Sequence, residues 1–229
     1  MELLVDTAKL EDIATACEYF PIAGVTCNPS IVKKSANPDD FFEHVRKIRA
    51  IIGKERTLHV QVVGTDSDTM MKEAKALVEN VDEDVYIKVP VTKEGLKTII
   101  RLKKEGYNVT ATGVYDTMQA YYALAAGADY IAIYANRMTT YGVDPNLLYQ
   151  DVQNKIEREG LPTKLVAASF HTAGQLREAY TNGCEAITAP LDMMMATFSN
   201  ENVNKAIENF TKDWESMYGE GSTLLNAKR

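Results

Sequence analysis

The sequence predicts an α/β fold, a closed (β/α)8 TIM barrel with an additional C-terminal helix. Short segments rich in β-branched residues alternate with amphipathic segments along all 229 residues, and this alternation is typical of a parallel sheet covered by helices. Eight such units of about 29 residues each match the length of a βαβ unit and are enough to close a barrel. We therefore expect a single barrel domain over residues 1–229, in which 201–229 form a C-terminal helix and tail.

Eight segments have the composition of buried strands, because Val, Ile, Thr and aromatic residues dominate them. In chain order these segments are Leu3–Asp6, Ile22–Thr26, Leu58–Val63, Val85–Val89, Asn108–Thr112, Tyr130–Tyr134, Lys164–Ser169 and Ala186–Ala189.

Apolar residues at helical spacing predict helices between these strands. Asp66–Val81 and Thr92–Lys104 show this spacing, and Thr92 is a candidate N-cap of the second helix. The C-terminal segment repeats the pattern with Val203, Ile207, Phe210, Trp214 and Met217.

A doubly wound open sheet is the competing architecture. It usually carries a Gly-rich phosphate-binding turn after its first strand. Here the first strand leads into Asp6-Thr7-Ala8-Lys9, and the sequence contains no GxGxxG or Walker pattern. The barrel is therefore favoured.

The charge and the cysteines limit the class of protein. The chain has 25 Lys and Arg against 32 Asp and Glu, a net charge of −7, and no segment concentrates basic residues, so we expect no nucleic-acid partner. No apolar segment approaches the length of a membrane span, and we expect no membrane association. Cys17, Cys27 and Cys184 are odd in number and widely spaced, which indicates reduced thiols and a cytoplasmic location.

Lys88 is the residue that points to chemistry, because it lies within the apolar segment Val85–Val91. A lysine is rarely buried unless it is paired or functional. Burial favours the neutral form of an amine, which can attack a carbonyl carbon and form a Schiff base. The alternative is a lysine at a strand end that reaches water or pairs with a carboxylate.

A set of polar residues accompanies Lys88 at the C-terminal ends of the predicted strands, where the active site of a (β/α)8 barrel lies. In strand order the set is Asp6, Thr26 with Asn28, Gln61, Lys88, Thr112, Tyr134 with Arg137, and Ser169. Each could be a structural hydrogen-bonding group, but together they favour a site in which Lys88 is the candidate nucleophile.

A Schiff-base lysine needs partners that move protons. Tyr134 offers a phenol, Gln61 and Thr112 are suited to hold a water molecule beside it, and Asp6 is suited to orient Lys88 or to relay its proton. The alternative role for Asp6 is the N-cap of the following helix.

Arg137 and Ser169 supply a guanidinium group and a hydroxyl that suit a phosphate group. The alternative for Arg137 is an ion pair with a surface carboxylate. No metal site is predicted, because His44, His59 and His171 are isolated. A hydrolase is not indicated either, since the sequence has no GxSxG motif.

Three motifs in the same chain resemble those of a known family. Gly24–Ser30 resembles the second-strand motif of transaldolases, with Cys27 in place of a second threonine, and this departure leaves one hydroxyl contact to the donor substrate open. Ile87–Pro90, followed by Thr92, Gly95 and Leu96, resembles the family's Schiff-base strand, and Ala167–Phe170 resembles its phosphate-contacting seventh strand. Over essentially its whole length the chain is similar to small class I enzymes of the transaldolase and fructose-6-phosphate aldolase group.

The resemblance implies that a dihydroxyacetone unit is held as a Schiff base on Lys88 without a metal or an organic cofactor. It implies a sugar phosphate as the substrate and a homo-oligomer as the assembly; related small enzymes form decamers of two stacked rings, in which the C-terminal helix docks on a neighbour. The implied catalytic residues are Lys88, Tyr134, Gln61, Asp6 and Thr112, and the implied substrate-binding residues are Thr26, Asn28, Arg137 and Ser169.

Within this group, transaldolases usually carry glutamate at the position of Gln61 and commonly phenylalanine at that of Tyr134. The pair found here is similar to the fructose-6-phosphate aldolase pattern, which implies reversible cleavage of fructose 6-phosphate to dihydroxyacetone and glyceraldehyde 3-phosphate. The alternative is a transaldolase of the pentose phosphate pathway, which transfers dihydroxyacetone from fructose 6-phosphate or sedoheptulose 7-phosphate. A non-catalytic barrel that binds a sugar phosphate or a protein is the third hypothesis.

Overall fold

Eight parallel strands form a closed barrel in the computed structural model, which describes residues 1–227. Neighbouring strands pair in chain order, and the first pairs with the eighth. The prediction of a (β/α)8 TIM barrel is confirmed. The strands are β1 Glu2–Asp6, β2 Gly24–Thr26, β3 Thr57–Gln61, β4 Tyr86–Pro90, β5 Asn108–Val114, β6 Tyr130–Tyr134, β7 Lys164–Ala168 and β8 Ala186–Ala189.

Helices connect the strands and follow the last one. They are α1 Leu10–Tyr19, α2 Pro29–Ser35, α3 Phe41–Ile52, α4 Ser67–Asn80, α5 Lys93–Lys104, α6 Thr117–Ala125, α7 Ala135–Thr140, α8 Pro145–Glu159, α9 Ala173–Thr181, α10 Leu191–Ala196 and α11 Glu201–Tyr218.

The chain divides into two compact units, Met1–Met194 and Met195–Arg229. The first contains all eight strands. The second contains α11, the predicted C-terminal helix, whose N-cap Asn200 accepts a hydrogen bond from the backbone of Asn202. The expectation of a single domain over the whole chain stays a prediction.

The third strand is shorter than predicted. The prediction extended it to Val63, whereas β3 ends at Gln61. The N–H groups of Val63 and Gly64 donate to the carboxylate of Glu73 at 2.8 and 2.9 Å. The Glu73 side chain, on α4, thus binds the two N–H groups that a longer β3 would donate to a neighbouring strand.

The alternation of side chains along β4 sends Lys88 into the barrel. Ile87 and Val89 belong to the large apolar cluster that the strands form with the surrounding helices, and because neighbouring side chains point to opposite faces, Lys88 points inward. The same alternation on β6 places Tyr130 and Ala132 in a small interior cluster. The barrel interior is therefore partly apolar, whereas polar side chains line it at the C-terminal ends of the strands.

The turn after β4 is fixed by a close approach. The Thr92 hydroxyl accepts from the N–H of Gly95 at 3.0 Å, which confirms Thr92 as the N-cap of α5. A Cβ atom on Gly95 would lie 1.8 Å from the carbonyl oxygen of Pro90. Only glycine lets α5 pack this tightly against the end of the strand that carries Lys88.

Candidate active site

All nine predicted site residues line one cavity of about 620 Å³ at the C-terminal end of the barrel. Strand ends supply most of them, and the segments that follow β2, β6 and β7 supply the rest. They are Asp6, Thr26, Asn28, Gln61, Lys88, Thr112, Tyr134, Arg137 and Ser169. The closed parallel sheet is what brings together residues so far apart in sequence, and their chemical roles stay predictions.

Lys88 is buried, with 4% of the residue exposed. Its Nζ donates to the carbonyl oxygen of Cys27 at 2.9 Å, and no carboxylate within residues 1–227 forms a salt bridge with it. The alternative of a lysine that reaches bulk water or pairs with a surface acid does not fit this position. An amine held by a neutral carbonyl inside a cavity is suited to react with a ketone.

Cys27 contributes its backbone to the site and not its thiol. Its side chain is buried in the apolar cluster behind the barrel wall, and its Sγ lies 3.7 Å from the carbonyl oxygen of His59. Burial raises the pKa of this thiol to about 11. The Cys27 side chain belongs to the apolar cluster and is not among the residues that line the cavity.

Asp6 belongs to a chain of hydroxyl groups. The Thr26 hydroxyl donates to Asp6 at 2.6 Å and lies 2.7 Å from the Thr188 hydroxyl. Because the single Thr26 proton goes to Asp6, Thr188 is the donor to Thr26. The alternative role of Asp6 as a helix N-cap is wrong, because α1 has Lys9 in that position.

The pKa of Asp6 is raised, chiefly because burial penalises its carboxylate. The positive charge of Lys88 and the hydrogen bond from Thr26 act in the opposite direction. A carboxyl group whose pKa is raised holds its proton to higher pH than an exposed aspartate does. It is therefore suited to receive and return a proton near Lys88.

Tyr134 lies between a hydroxyl and a guanidinium group. Its phenolic oxygen is 3.1 Å from Thr112 Oγ1, and the guanidinium carbon of Arg137 lies 5.7 Å from its ring centre. Arg137 also donates to the Tyr115 hydroxyl at 3.2 Å. Contacts with Tyr134 and Tyr115 thus hold Arg137 at the cavity. The alternative prediction was an ion pair between Arg137 and a surface carboxylate.

Gln61 lies beside Lys88 on the neighbouring strand, where the two residues are aligned in register. Its side chain is half-buried and lines the cavity. Within the described part of the chain, no residue makes a hydrogen bond with its amide. The group is thus free to hold a water molecule or a substrate oxygen.

Asn28 and Ser169, two further predicted site residues, also stabilise the local chain conformation through hydrogen bonds. The Asn28 side-chain oxygen accepts from the N–H of Ile31 at 3.0 Å and caps α2, and the residue also lines the cavity. Ser169 has a φ of 63°, a left-handed conformation unusual for a residue other than glycine. Its carbonyl accepts from Asn136 at 3.0 Å, which ties the seventh strand end to α7.

Several residues that line the cavity were not among the predicted ones, and three of them carry hydroxyl groups on or directly after strands β5 and β8. Thr110, Tyr115 and Thr188 also line the cavity. The two-residue alternation was the available signal for Thr110, because it lies two positions before Thr112 on the same strand. Tyr115 and Thr188 were harder to predict as cavity residues, because their contacts are with residues distant in sequence. Tyr115 accepts from Arg137, and Thr188 contacts Thr26.

Residues 1–227 contain neither a metal-ligand cluster nor a membrane-spanning helix. No three side chains of His, Cys, Asp or Glu in that range are grouped so that they could hold a metal ion. No helix in the same range has the length and apolar character of a membrane span.

The sequence is similar to that of known proteins that share a family. Residues 3–221 match the family model described as Transaldolase/Fructose-6-phosphate aldolase. The chain is also 39% identical over 214 residues to a probable fructose-6-phosphate aldolase of Streptococcus pneumoniae (strain ATCC 700669 / Spain 23F-1), an alignment that covers 93% of this chain and 96% of that protein. The matched range includes every residue that lines the cavity. The chain belongs to the transaldolase/fructose-6-phosphate aldolase family of enzymes.

Proposed function

We propose that the protein is a class I aldolase that reversibly cleaves fructose 6-phosphate to dihydroxyacetone and glyceraldehyde 3-phosphate. The observation that carries the proposal is the buried Lys88 amine, which donates to the Cys27 carbonyl and lines a cavity with Gln61 and Tyr134. The name of the pneumococcal relative supports the same substrate.

The reaction begins at Lys88. Its neutral amine adds to the C2 carbonyl of fructose 6-phosphate, and loss of water from the carbinolamine gives an iminium ion. Removal of the proton from the C4 hydroxyl breaks the C3–C4 bond, and the electron pair of that bond forms an enamine. Glyceraldehyde 3-phosphate leaves, and protonation and hydrolysis of the enamine release dihydroxyacetone and the amine.

Tyr134 and the water beside Gln61 move the protons in this scheme. Tyr134 gives its phenolic proton to the hydroxyl that leaves the carbinolamine as water, and its oxygen then takes the C4 hydroxyl proton; Thr112, at 3.1 Å, orients that oxygen. Asp6 relays the proton that leaves and returns to Lys88. Arg137 and Ser169 bind the phosphate group at the mouth of the cavity, where Arg137 is exposed.

Transfer of dihydroxyacetone to an aldehyde acceptor is the second candidate, because the matched family contains both activities. The two reactions share every step up to the enamine and differ in what happens to it. Hydrolysis gives the lyase, whereas attack on erythrose 4-phosphate gives the transferase. Gln61 favours the lyase, since an amide can position the water but cannot itself exchange protons with an aldehyde.

Two experiments decide among these reactions. The protein is treated with dihydroxyacetone and borohydride, and the Lys88 peptide is examined by mass spectrometry; Lys88→Ala is the control. An adduct at Lys88 is expected, and its absence would falsify Schiff-base chemistry and leave the non-catalytic barrel. Release of free dihydroxyacetone from fructose 6-phosphate is then measured with and without erythrose 4-phosphate. Negligible release without the acceptor, together with formation of sedoheptulose 7-phosphate once erythrose 4-phosphate is added, would identify a transferase.

We also propose that the chain forms a homo-oligomer, with a decamer as the assembly that the resemblance implies. The support is an exposed apolar face on α11, made of Val203, Ile207, Phe210 and Met217. A monomeric mass by light scattering at assay concentration would exclude this.

A further inference from the structure

His59 lies inside the barrel, two residues before Gln61 on β3, and 1% of it is exposed. Its Nδ1 lies 2.7 Å from Thr110 Oγ1, and its Nε2 lies 2.9 Å from Thr57 Oγ1. The ring stacks on Tyr86 with the ring centres 4.7 Å apart. Both ring nitrogens are therefore engaged, and the reaction proposed above makes no use of this histidine.

The hydrogen bonds around His59 fix its tautomer. The Thr57 hydroxyl donates its single proton to the Ala23 carbonyl at 3.3 Å, so it accepts a hydrogen bond from the ring at Nε2. Burial, with the charges of Lys88 and Arg49, holds the pKa of His59 well below its ordinary value. The neutral ring has one N–H group, which is at Nε2, and its unprotonated Nδ1 must accept the Thr110 proton.

This arrangement determines what Thr110 offers to the cavity. Thr110 lines the cavity and is aligned with Lys88 on the neighbouring strand. Its single proton points to His59, so only lone pairs face the ligand. Apolar residues, Ala132 and Val166, line the cavity on the strands that follow. A ligand group at this point therefore has to be a hydrogen-bond donor, and an unprotonated phosphate or carboxylate oxygen is disfavoured.

We propose that His59 is a positioning residue that holds the Thr110 hydroxyl as an acceptor for a hydroxyl group on the ketone bound at Lys88. The ligand class is a hydroxymethyl ketone, whose O–H on the carbon beside the carbonyl donates to Thr110. This inference rests on the proposed Schiff-base function, because Lys88 fixes the carbonyl carbon beside Thr110.

The test compares two ketones that differ in their hydroxyl groups. Dihydroxyacetone and acetone are each trapped on Lys88 with borohydride. The measured ratio is the trapping rate of dihydroxyacetone divided by that of acetone. Thr110→Val removes the acceptor and is expected to lower the ratio about tenfold, the cost of one hydrogen bond in a closed site. A purely structural defect slows both ketones alike and leaves the ratio unchanged.

His59 is tested by coupling to Thr110. His59→Phe keeps an aromatic ring against Tyr86 but frees the Thr110 proton, so the ratio is expected to fall. It should fall no further when Thr110→Val is already present, because the two residues act as one unit. His59→Asn offers an amide oxygen near the position of Nδ1 and should restore part of the ratio.

Thr98→Val is the matched control, since Thr98 is also buried but donates to the Glu94 carbonyl within α5. Its ratio should equal that of the wild type. If the wild type forms no adduct with dihydroxyacetone, the proposed function fails and the inference falls with it. A normal adduct with an unchanged ratio in Thr110→Val overturns the inference alone.

A second measurement observes the His59 ring directly in the wild-type protein. The nitrogen chemical shifts of His59 in the ¹⁵N-labelled wild-type protein distinguish a protonated from an unprotonated ring nitrogen, and comparison with His59→Asn assigns the signals. A proton at Nε2 alone is expected. A proton at Nδ1, or at both nitrogens, would make Thr110 an acceptor toward the ring and overturn the proposal.

Discussion

The phenolic oxygen of Tyr134 and the hydroxyl oxygen of Thr112 lie 3.1 Å apart, at the ends of neighbouring strands β6 and β5. A hydrogen bond between them fixes the phenol over the cavity that contains Lys88. In the proposed reaction this pair would combine a proton carrier with the group that orients it, which makes Tyr134 the first residue to test.

Tyr134→Phe is expected to lower the kcat of fructose 6-phosphate cleavage by about 10²-fold or more, because it removes a general acid–base group but keeps the ring. Steady-state cleavage assays measure the effect. Tyr122→Phe, a change at an exposed tyrosine on α6, is the control. Unchanged cleavage in Tyr134→Phe would rule out its role in proton transfer.

Gln61→Glu is expected to move the activity from release toward transfer. A carboxyl group can exchange protons with an acceptor aldehyde, which the amide cannot do. The measured quantity is the rate of transfer to erythrose 4-phosphate divided by the rate of dihydroxyacetone release. An unchanged quotient in a folded variant would mean that Gln61 does not select between the two reactions.

Arg137→Gln is expected to raise the KM for fructose 6-phosphate by about tenfold to a hundredfold, the range for loss of a charged hydrogen bond. Trapping of unphosphorylated dihydroxyacetone on Lys88 should change much less, since that ketone has no phosphate. Arg158→Gln, at an exposed position of α8, is the control. Equal losses with both ligands would contradict a phosphate-binding role for Arg137.

Asp6 is expected to make stability fall as the pH rises. Burial raises the pKa of Asp6 above its ordinary value of 3.8, so the folded chain binds more protons than the unfolded chain between these two pKa values. The free energy of unfolding therefore decreases as the pH rises from 3.8 through the folded pKa. Below 3.8 the contribution is fully favourable to the fold.

Urea unfolding of the wild type and of Asp6→Asn from acidic to neutral pH measures this dependence. The difference in unfolding free energy should shift against the wild type as the pH rises, because asparagine carries no titrating group. Asp151→Asn, at an exposed carboxylate on α8, provides the reference. A difference that stays constant across the range, or that moves in favour of the wild type, would contradict the assignment.

The strands were predictable because a parallel barrel buries both faces of its sheet, so each strand appears in the sequence as a short apolar segment. Their ends were less predictable. The end of β3 depends on Glu73, which lies ten residues after Val63 and takes the N–H groups that would continue the strand. No local pattern around Val63 contains that contact.

The members of the candidate site were predictable for a similar reason, since polar residues at strand ends converge once the barrel closes. Their hydrogen bonds were not. Thr188 belongs to the site through Thr26, which is 162 residues away, and the orientation of Thr110 depends on a histidine from another strand. Such pairings follow from strand register, which a single sequence does not specify.

Gly95→Ala is expected to lower the free energy of unfolding by about 2 kcal/mol or more, because overpacking of a close contact carries a cost of this size. The added Cβ would lie 1.8 Å from the Pro90 carbonyl oxygen, a backbone atom that cannot move without displacing the end of β4. Gly174→Ala on α9 is the matched control, since its Cβ would meet nothing nearer than Thr172 Oγ1 at 3.7 Å. Because alanine favours helix over glycine, the control should keep or slightly raise stability. Equal urea midpoints for the two variants would show that α5 can shift away from β4 without cost, and that the position of Lys88 does not depend on this contact.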